Sequence, residues 1–159
     1  RLDSKYSPYP ESLNLCAICK SIVEEYQYKH PQSSISIHCN KDLPTVFADK
    51  EGMTAVIYNL LGNALKYCEA NPVINISIFQ IKNKLELKIS DNGIGISDAE
   101  KKKVFKRFYR SGSESTRKTK GTGLGLFIVK EILEAHKGKI RLENNSPSGS
   151  VFIISLPIE

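Results

Sequence analysis

Two runs of the chain alternate apolar and polar residues over almost their whole length: V-I-N-I-S-I-F-Q at 73–80 and K-L-E-L-K-I-S at 84–90. A period of two places Ile74, Ile76 and Ile78 on one face of a strand, and Leu85, Leu87 and Ile89 on one face of the next. Only three residues, 81–83, separate the runs, so they read as a hairpin with one buried and one wet face. That pattern demands a covering layer, and the rest of the chain offers helices. Residues 12–28 place Leu15, Cys16, Cys19, Ile22, Val23 and Tyr26 at helical spacing. A second helix is expected over 51–67 with Asp49 as its N-cap, a short one over 97–108, and a last one over 121–136 that stops at Gly138. Further strands are expected at 34–39, 43–48, 140–143 and 150–156. The fold class is therefore α+β: a mixed, mainly antiparallel sheet covered on one face by about three helices. Residues 1–11 read as an extended arm and 12–159 as one domain.

Charge narrows the partners. The chain has 23 Lys and Arg against 17 Asp and Glu, for a net charge of +6. Residues 101–120 hold nine of those cations and one acid, Glu114. The basicity therefore belongs to one stretch, which suits a local anion such as a phosphate-bearing ligand better than a nucleic acid. No reading motif or interleaved aromatic series accompanies it, so nucleic-acid binding is not expected. No apolar run approaches the roughly 20 residues needed to cross a bilayer, and no membrane contact is expected. The opening residues carry neither a signal core nor a Met, so the chain reads as part of something longer. Its four cysteines, Cys16, Cys19, Cys39 and Cys68, are accordingly expected to be reduced. Cys16 and Cys19 form a C-x-x-C without a second copy, and buried free thiols fit better than a metal or redox site.

Four stretches carry chemistry. Asn59, Asn63, Lys66 and Tyr67 recur at i, i+4, i+7 and i+8, a polar stripe opposite Leu60, Leu61, Ala64 and Leu65. Amide oxygens suit Mg²⁺, and an ammonium offsets phosphate charge. The alternative is a solvated helix face. Next, D-N-G-I-G at 91–95 follows a buried strand directly. Its carboxylate can accept from an exocyclic amine, and Gly93 and Gly95 let backbone approach a flat ring; the alternative is an ordinary tight turn. Third, G-T-G-L-G-L at 121–126 opens a helix. It ends in no G-K-[ST] and lacks G-x-G-x-x-G spacing, yet it aims free N–H groups at whatever anion lies there. Last, V-F-K-R-F-Y-R at 104–110 has Phe105 and Phe108 at i, i+3, the spacing of a short helix docked on a core, followed by Arg110 and the basic loop.

Together and in this order, N-L-L-G-N-A-L-K-Y, D-N-G-I-G-I, F-K-R-F-Y-R and G-T-G-L-G-L-F-I-V-K resemble the N, G1, F and G2 boxes of the catalytic, ATP-binding domain of sensor histidine kinases. The superfamily of that domain also holds gyrase, Hsp90 and MutL; the F box points to the kinase branch. The resemblance implies a Bergerat α/β sandwich, ATP and Mg²⁺ as cofactors, and a mobile lid over about 109–120. It implies Asn63 as the metal ligand, with Asn59 and Lys66 near the phosphates and Tyr67 beside the nucleotide. Asp91 is implied as the adenine N6 acceptor, with Gly93, Gly95, Ile96 and Phe108 around the base. Gly121, Thr122, Gly123, Leu124, Gly125 and Leu126 are implied to line phosphates and adenine, and Arg110 to add a catalytic lid cation. Asn59 stands where the ATP-hydrolysing relatives carry a glutamate base, so slow hydrolysis is expected. None of His30, His38 or His136 lies in an acceptor pattern. The acceptor histidine would come from a dimerisation domain of the same parent, and a response regulator receiver domain would take the phosphoryl group. A cytoplasmic location is implied, with or without a membrane-anchored parent. An ATP-sensing module without phosphotransfer is the alternative.

Overall fold

A computed structural model describes residues 6–68, 71–107, 109 and 125–158. The hairpin at the centre of the sequence is the centre of the fold. β4 (Val73–Ile81) and β5 (Lys84–Asp91) pair antiparallel with Ile76 opposite Ile89 and Ile78 opposite Leu87. β7 (Ser150–Pro157) adds to β5, and β6 (Lys139–Asn144) adds to β7, both antiparallel. β2 (Ser34–Cys39) adds to the far side of β4 in parallel, giving a mixed sheet in the order β2-β4-β5-β7-β6. Opposed residues share a face. Ile74, Ile76, Ile78, Leu85, Leu87, Ile89, Phe152, Ile154 and Leu156 are all buried on the same one.

Helices cover that face. α1 (Leu15–Lys29) packs on β2, α2 (Lys50–Lys66) crosses the centre, and α4 (Gly125–Ala135) lies beside α2 and reaches β6. α2 turns Met53, Val56, Ile57, Leu60, Leu61 and Ala64 inward, the spacing of one helical stripe. α1 begins at Asn14, whose side-chain oxygen accepts from the Ala17 amide at 3.0 Å. A one-turn helix, α3 (Asp98–Lys101), is capped the same way by Ser97.

Four local expectations need correction. Among the described residues, the helix expected over 97–108 is helical only at Asp98–Lys101; turns follow, and Phe105 meets the Phe152 ring edge-on at 6.4 Å. Tertiary docking of that ring, and not helix propensity, decides the path. Asp49 precedes α2 but makes no side-chain cap, because its carboxylate accepts the Tyr6 hydroxyl at 2.5 Å. The end of the arm is a strand: β1 (Pro10–Leu13) pairs antiparallel with β3 (Val46–Asp49). Finally, Cys16 is not a free thiol. Its sulfur is bonded to that of Cys39, joining α1 to β2, while Cys19 is buried and free. Cys16 and Cys19, at i and i+3, share one side of α1, and it is Cys16 whose sulfur meets that of Cys39 on the edge strand. Burial pushes the Cys19 thiol up to about 12.

The arm ties three elements together. Tyr6 reaches Asp49 at the start of α2, and the Asp49 amide donates to Nε2 of His136, just past the end of α4, at 3.0 Å. His136 therefore carries its proton on Nδ1, which donates to the Ile132 carbonyl at 2.8 Å.

Candidate nucleotide-binding site

The sheet stripe Leu85-Leu87-Ile89 continues to one residue that is not apolar. Asp91 occupies the next core-facing position, opposite Ile74, and is only 6% exposed. An unpaired carboxylate there is costly. It is held through one oxygen: Oδ1 accepts from the Gly93 amide at 2.9 Å and the Ser150 amide at 3.2 Å. No described residue donates to Oδ2. Burial pushes the Asp91 carboxyl above the usual carboxylate range, and the two amides pull it part of the way back.

Asp91 lines a cleft of about 250 Å³ between the end of the sheet and the last turns of α2. One side is the polar stripe of α2: Asn59, Asn63 and Lys66, with Tyr67 just past the helix end, all line it. The four residues placed on one face by their spacing are thus brought to one wall. Lys66 is exposed, whereas Asn59, Asn63 and Tyr67 are half-buried. The Asn59 amide donates to the Ala55 carbonyl at 2.7 Å and turns Oδ1 toward Gly125, where a Cβ would lie 2.9 Å from it. Opposite, Ile94, Gly95 and Ile96 line the cleft. Gly95 has φ +80, a left-handed conformation that suits glycine. At Gly93 a Cβ would lie 2.6 Å from the Tyr67 carbonyl, so this glycine lets the loop close on the end of α2. The Ile94 amide makes that closure, donating to the same carbonyl at 3.1 Å. Asn92 points away and accepts from the Val73 amide at 2.9 Å, a structural role.

Of the glycine-rich stretch, Gly125 and Leu126 line the cleft at the start of α4; Gly121, Thr122, Gly123 and Leu124 lie outside the described residues, as do Phe108 and Arg110. Val104 and Tyr109 also line the cleft. The Tyr109 hydroxyl donates to Glu100 at 2.7 Å. Sequence reasoning missed Asn145, Gly149 and Ser150, which back Asp91 from the β6–β7 turn. They lie 54 to 59 residues away, and only the sheet register brings them near.

The cleft suits a purine nucleotide. A buried carboxylate offers one open acceptor oxygen, glycines leave room where side chains would intrude, and amides plus an ammonium gather at the other end. Hard oxygen donors of the Asn63 type also fit Mg²⁺, which takes few protein ligands. Among the described residues no cluster of three His, Cys, Asp or Glu gathers to hold a metal without such a ligand's help.

The chain is also similar to known proteins. The family described as histidine kinase-, DNA gyrase B-, and HSP90-like ATPase matches residues 48–159. The chain is 34% identical over 160 residues to the adaptive-response sensory kinase SasA of Synechocystis sp., covering 99% of this chain and 41% of that protein. It is 39% identical over 137 residues to the sensor protein kinase WalK of Staphylococcus aureus, covering 82% and 33%. The chain thus spans less than half the length of these curated relatives. Among solved structures, a mycobacterial sensor histidine kinase, MprB, superposes with a TM-score of 0.82 at 28% identity, over 94% of this chain and 97% of that one. Histidine kinase ThkA, crystallised in complex with response regulator protein TrrA, gives 0.75 at 25% identity, over 94% and 42%. With the cleft lying where these boxes converge, the chain belongs to the histidine kinase-, DNA gyrase B- and HSP90-like ATPase family, as an ATP-binding catalytic domain of its sensor histidine kinase branch.

Proposed function

We propose that this domain, residues 12–159 with 1–11 as its leading arm, holds ATP in the cleft and presents the γ-phosphoryl group to a histidine on a separate dimerisation domain of the same parent. The observation that carries this reading is Asp91: a buried carboxylate fixed through one oxygen, with the other left to accept from an adenine amine. Gly93, Gly95 and Ile96 give the base its slot, and Tyr67 flanks it. Gly125 and Leu126 stand beside the α2 stripe at the phosphate end. Arg110, Phe108 and residues 121–124 join the site through their motifs alone.

Lys66 offsets triphosphate charge from the last turn of α2. Asn63 supplies an oxygen for Mg²⁺, which when bound would neutralise charge on the phosphate oxygens. Asn59 has no group able to take a proton from water at neutral pH. Water is not activated at that position, and the γ-phosphoryl group is kept for the imidazole. In the transfer, a neutral histidine nitrogen bonds to phosphorus, the bond to the bridging oxygen breaks, and ADP leaves. The crystallised pair of ThkA with TrrA supports a receiver domain as the next acceptor. A cytoplasmic setting, where ATP is abundant, follows from this reading.

The test supplies a histidine-bearing dimerisation hairpin in trans with γ-labelled ATP. Label appears on the hairpin as an acid-labile, base-stable phosphoprotein, and far more slowly as free phosphate when the hairpin is omitted. Binding of ATP without any transfer, across cognate hairpins, would reduce the domain to a nucleotide sensor.

A further inference from the structure

Asn145 belongs to no motif and lies 54 residues from Asp91, yet its Nδ2 donates to the Asp91 carbonyl at 2.7 Å. Its Oδ1 accepts from the Ser146 amide at 2.9 Å, so both ends of the side-chain amide are committed. Its backbone amide donates to the Gly149 carbonyl at 3.0 Å and closes the β6–β7 turn. Gly149, at φ +107, packs so tightly that a Cβ there would overlap the Asp91 carbonyl oxygen. The next amide, from Ser150, holds Oδ1 of Asp91 at 3.2 Å. The turn therefore grips Asp91 twice, at its peptide through Asn145 and at its carboxylate through Ser150. Gly93, two residues on and just past the end of β5, is the other anchor.

A carboxylate swings about two side-chain torsions, and its open oxygen has a direction only if the peptide behind it is fixed. We propose that Asn145 is a positioning residue: by anchoring the Asp91 carbonyl it sets the aim of Oδ2, and with it the preference of the cleft for a purine bearing an exocyclic amine. This rests on the reading of Asp91 as the acceptor of that amine. Loss of the Asn145 donor leaves a buried carbonyl without its partner, loosens the turn, and lets the Ser150 amide drift from Oδ1. Hypoxanthine, which carries an oxygen where adenine carries the amine, reads the aim directly. A well-aimed carboxylate repels it, and a poorly aimed one tolerates it.

Calorimetry with ADP and inosine diphosphate on the full chain, Asn145→Ala and Asn145→Asp tests this, with thermal melting to follow folding. Asn145→Asp keeps the shape and removes the donor. The unaltered chain should prefer ADP, and both variants should lose about tenfold in ADP affinity while inosine diphosphate binding holds steady, the size expected of one buried hydrogen bond acting through a charged group. A preference for ADP that survives in both variants overturns the role of Asn145 alone. Equal losses for both nucleotides alongside a lower melting temperature also overturn it, since that is the signature of a merely structural residue. Should the unaltered chain bind the two nucleotides alike, the reading of Asp91 itself falls, and this inference with it.

Discussion

Keeping Asp91 ionised works against the fold. Its folded pKa is raised, chiefly by burial, so the native state holds a proton more readily than the unfolded chain does. The charged form therefore costs stability at any pH above the raised pKa, and that cost disappears as pH falls through it. A site that accepts such a cost is there for a ligand. Asp91→Asn should accordingly leave the melting temperature unchanged or raise it, while ADP affinity drops by about 1.5–3 kcal/mol, the worth of a hydrogen bond to a charged group. In the unaltered chain ADP affinity should decline with falling pH, beginning above the range where exposed aspartates titrate, and the substituted chain should show a flat profile. Calorimetry across pH checks both; a parallel decline in the two chains would mean that some other group carries the dependence. Asp91 was legible because D-N-G-I-G directly follows an alternating strand, where a carboxylate and two glycines suit a flat ring; its place on the core face, opposite Ile74, came only with the register. Asn145, Gly149 and Ser150 were not legible, because N-S-P-S-G-S reads as any turn until the β5–β7 register brings it behind Asp91.

Between elements, the bond from Cys16 to Cys39 closes a loop of 23 residues and clamps α1 on β2, an edge strand paired on one side only. Cytoplasmic thiols are normally kept reduced, so the bond acts in the oxidised protein, where it restricts the unfolded chain and a loop of this length contributes about 2–4 kcal/mol. Cys39→Ser, or reductant on the unaltered chain, should lower unfolding free energy by that amount in a denaturant titration. Identical midpoints with and without reductant would show that the clamp contributes nothing. The periodicities of α1, α2 and the hairpin gave these elements to within a few residues, since each has a continuous apolar stripe. The helix near residue 100 is shorter than its spacing predicts for the opposite reason. V-F-K-R-F has helical spacing, but a single ring docking on Phe152 satisfies it without a helix. Pairing of thiols was hidden in the same way, because spacing within α1 says nothing of what faces it from β2.

Across the whole molecule, α2 and α4 share one plan. α2 starts at Asp49 beside the arm and ends at the cleft with Lys66; α4 starts at the cleft with Gly125 and ends by His136 beside the arm. Tyr6, Asp49 and His136 join the far ends. Burial and the neighbouring Asp49 carboxylate push the Tyr6 hydroxyl well above the usual phenol range, so it stays a donor at every physiological pH. Tyr6→Phe removes that donor and should cost about 1–2 kcal/mol. Amide exchange should quicken at Asp49 and in the final turn of α4, with the sheet centre unchanged; uniform quickening would mean general destabilisation and not a local release. The layered architecture was legible from the alternation of stripes, while this junction was not, since no pattern in 1–11 announces a partner 43 residues on. The geometry has a mechanical consequence. The two helices meet at the arm through Tyr6, Asp49 and His136 and meet again where Gly125 abuts Asn59, so the first residues of the chain bear on the same two rods whose other ends border the cleft.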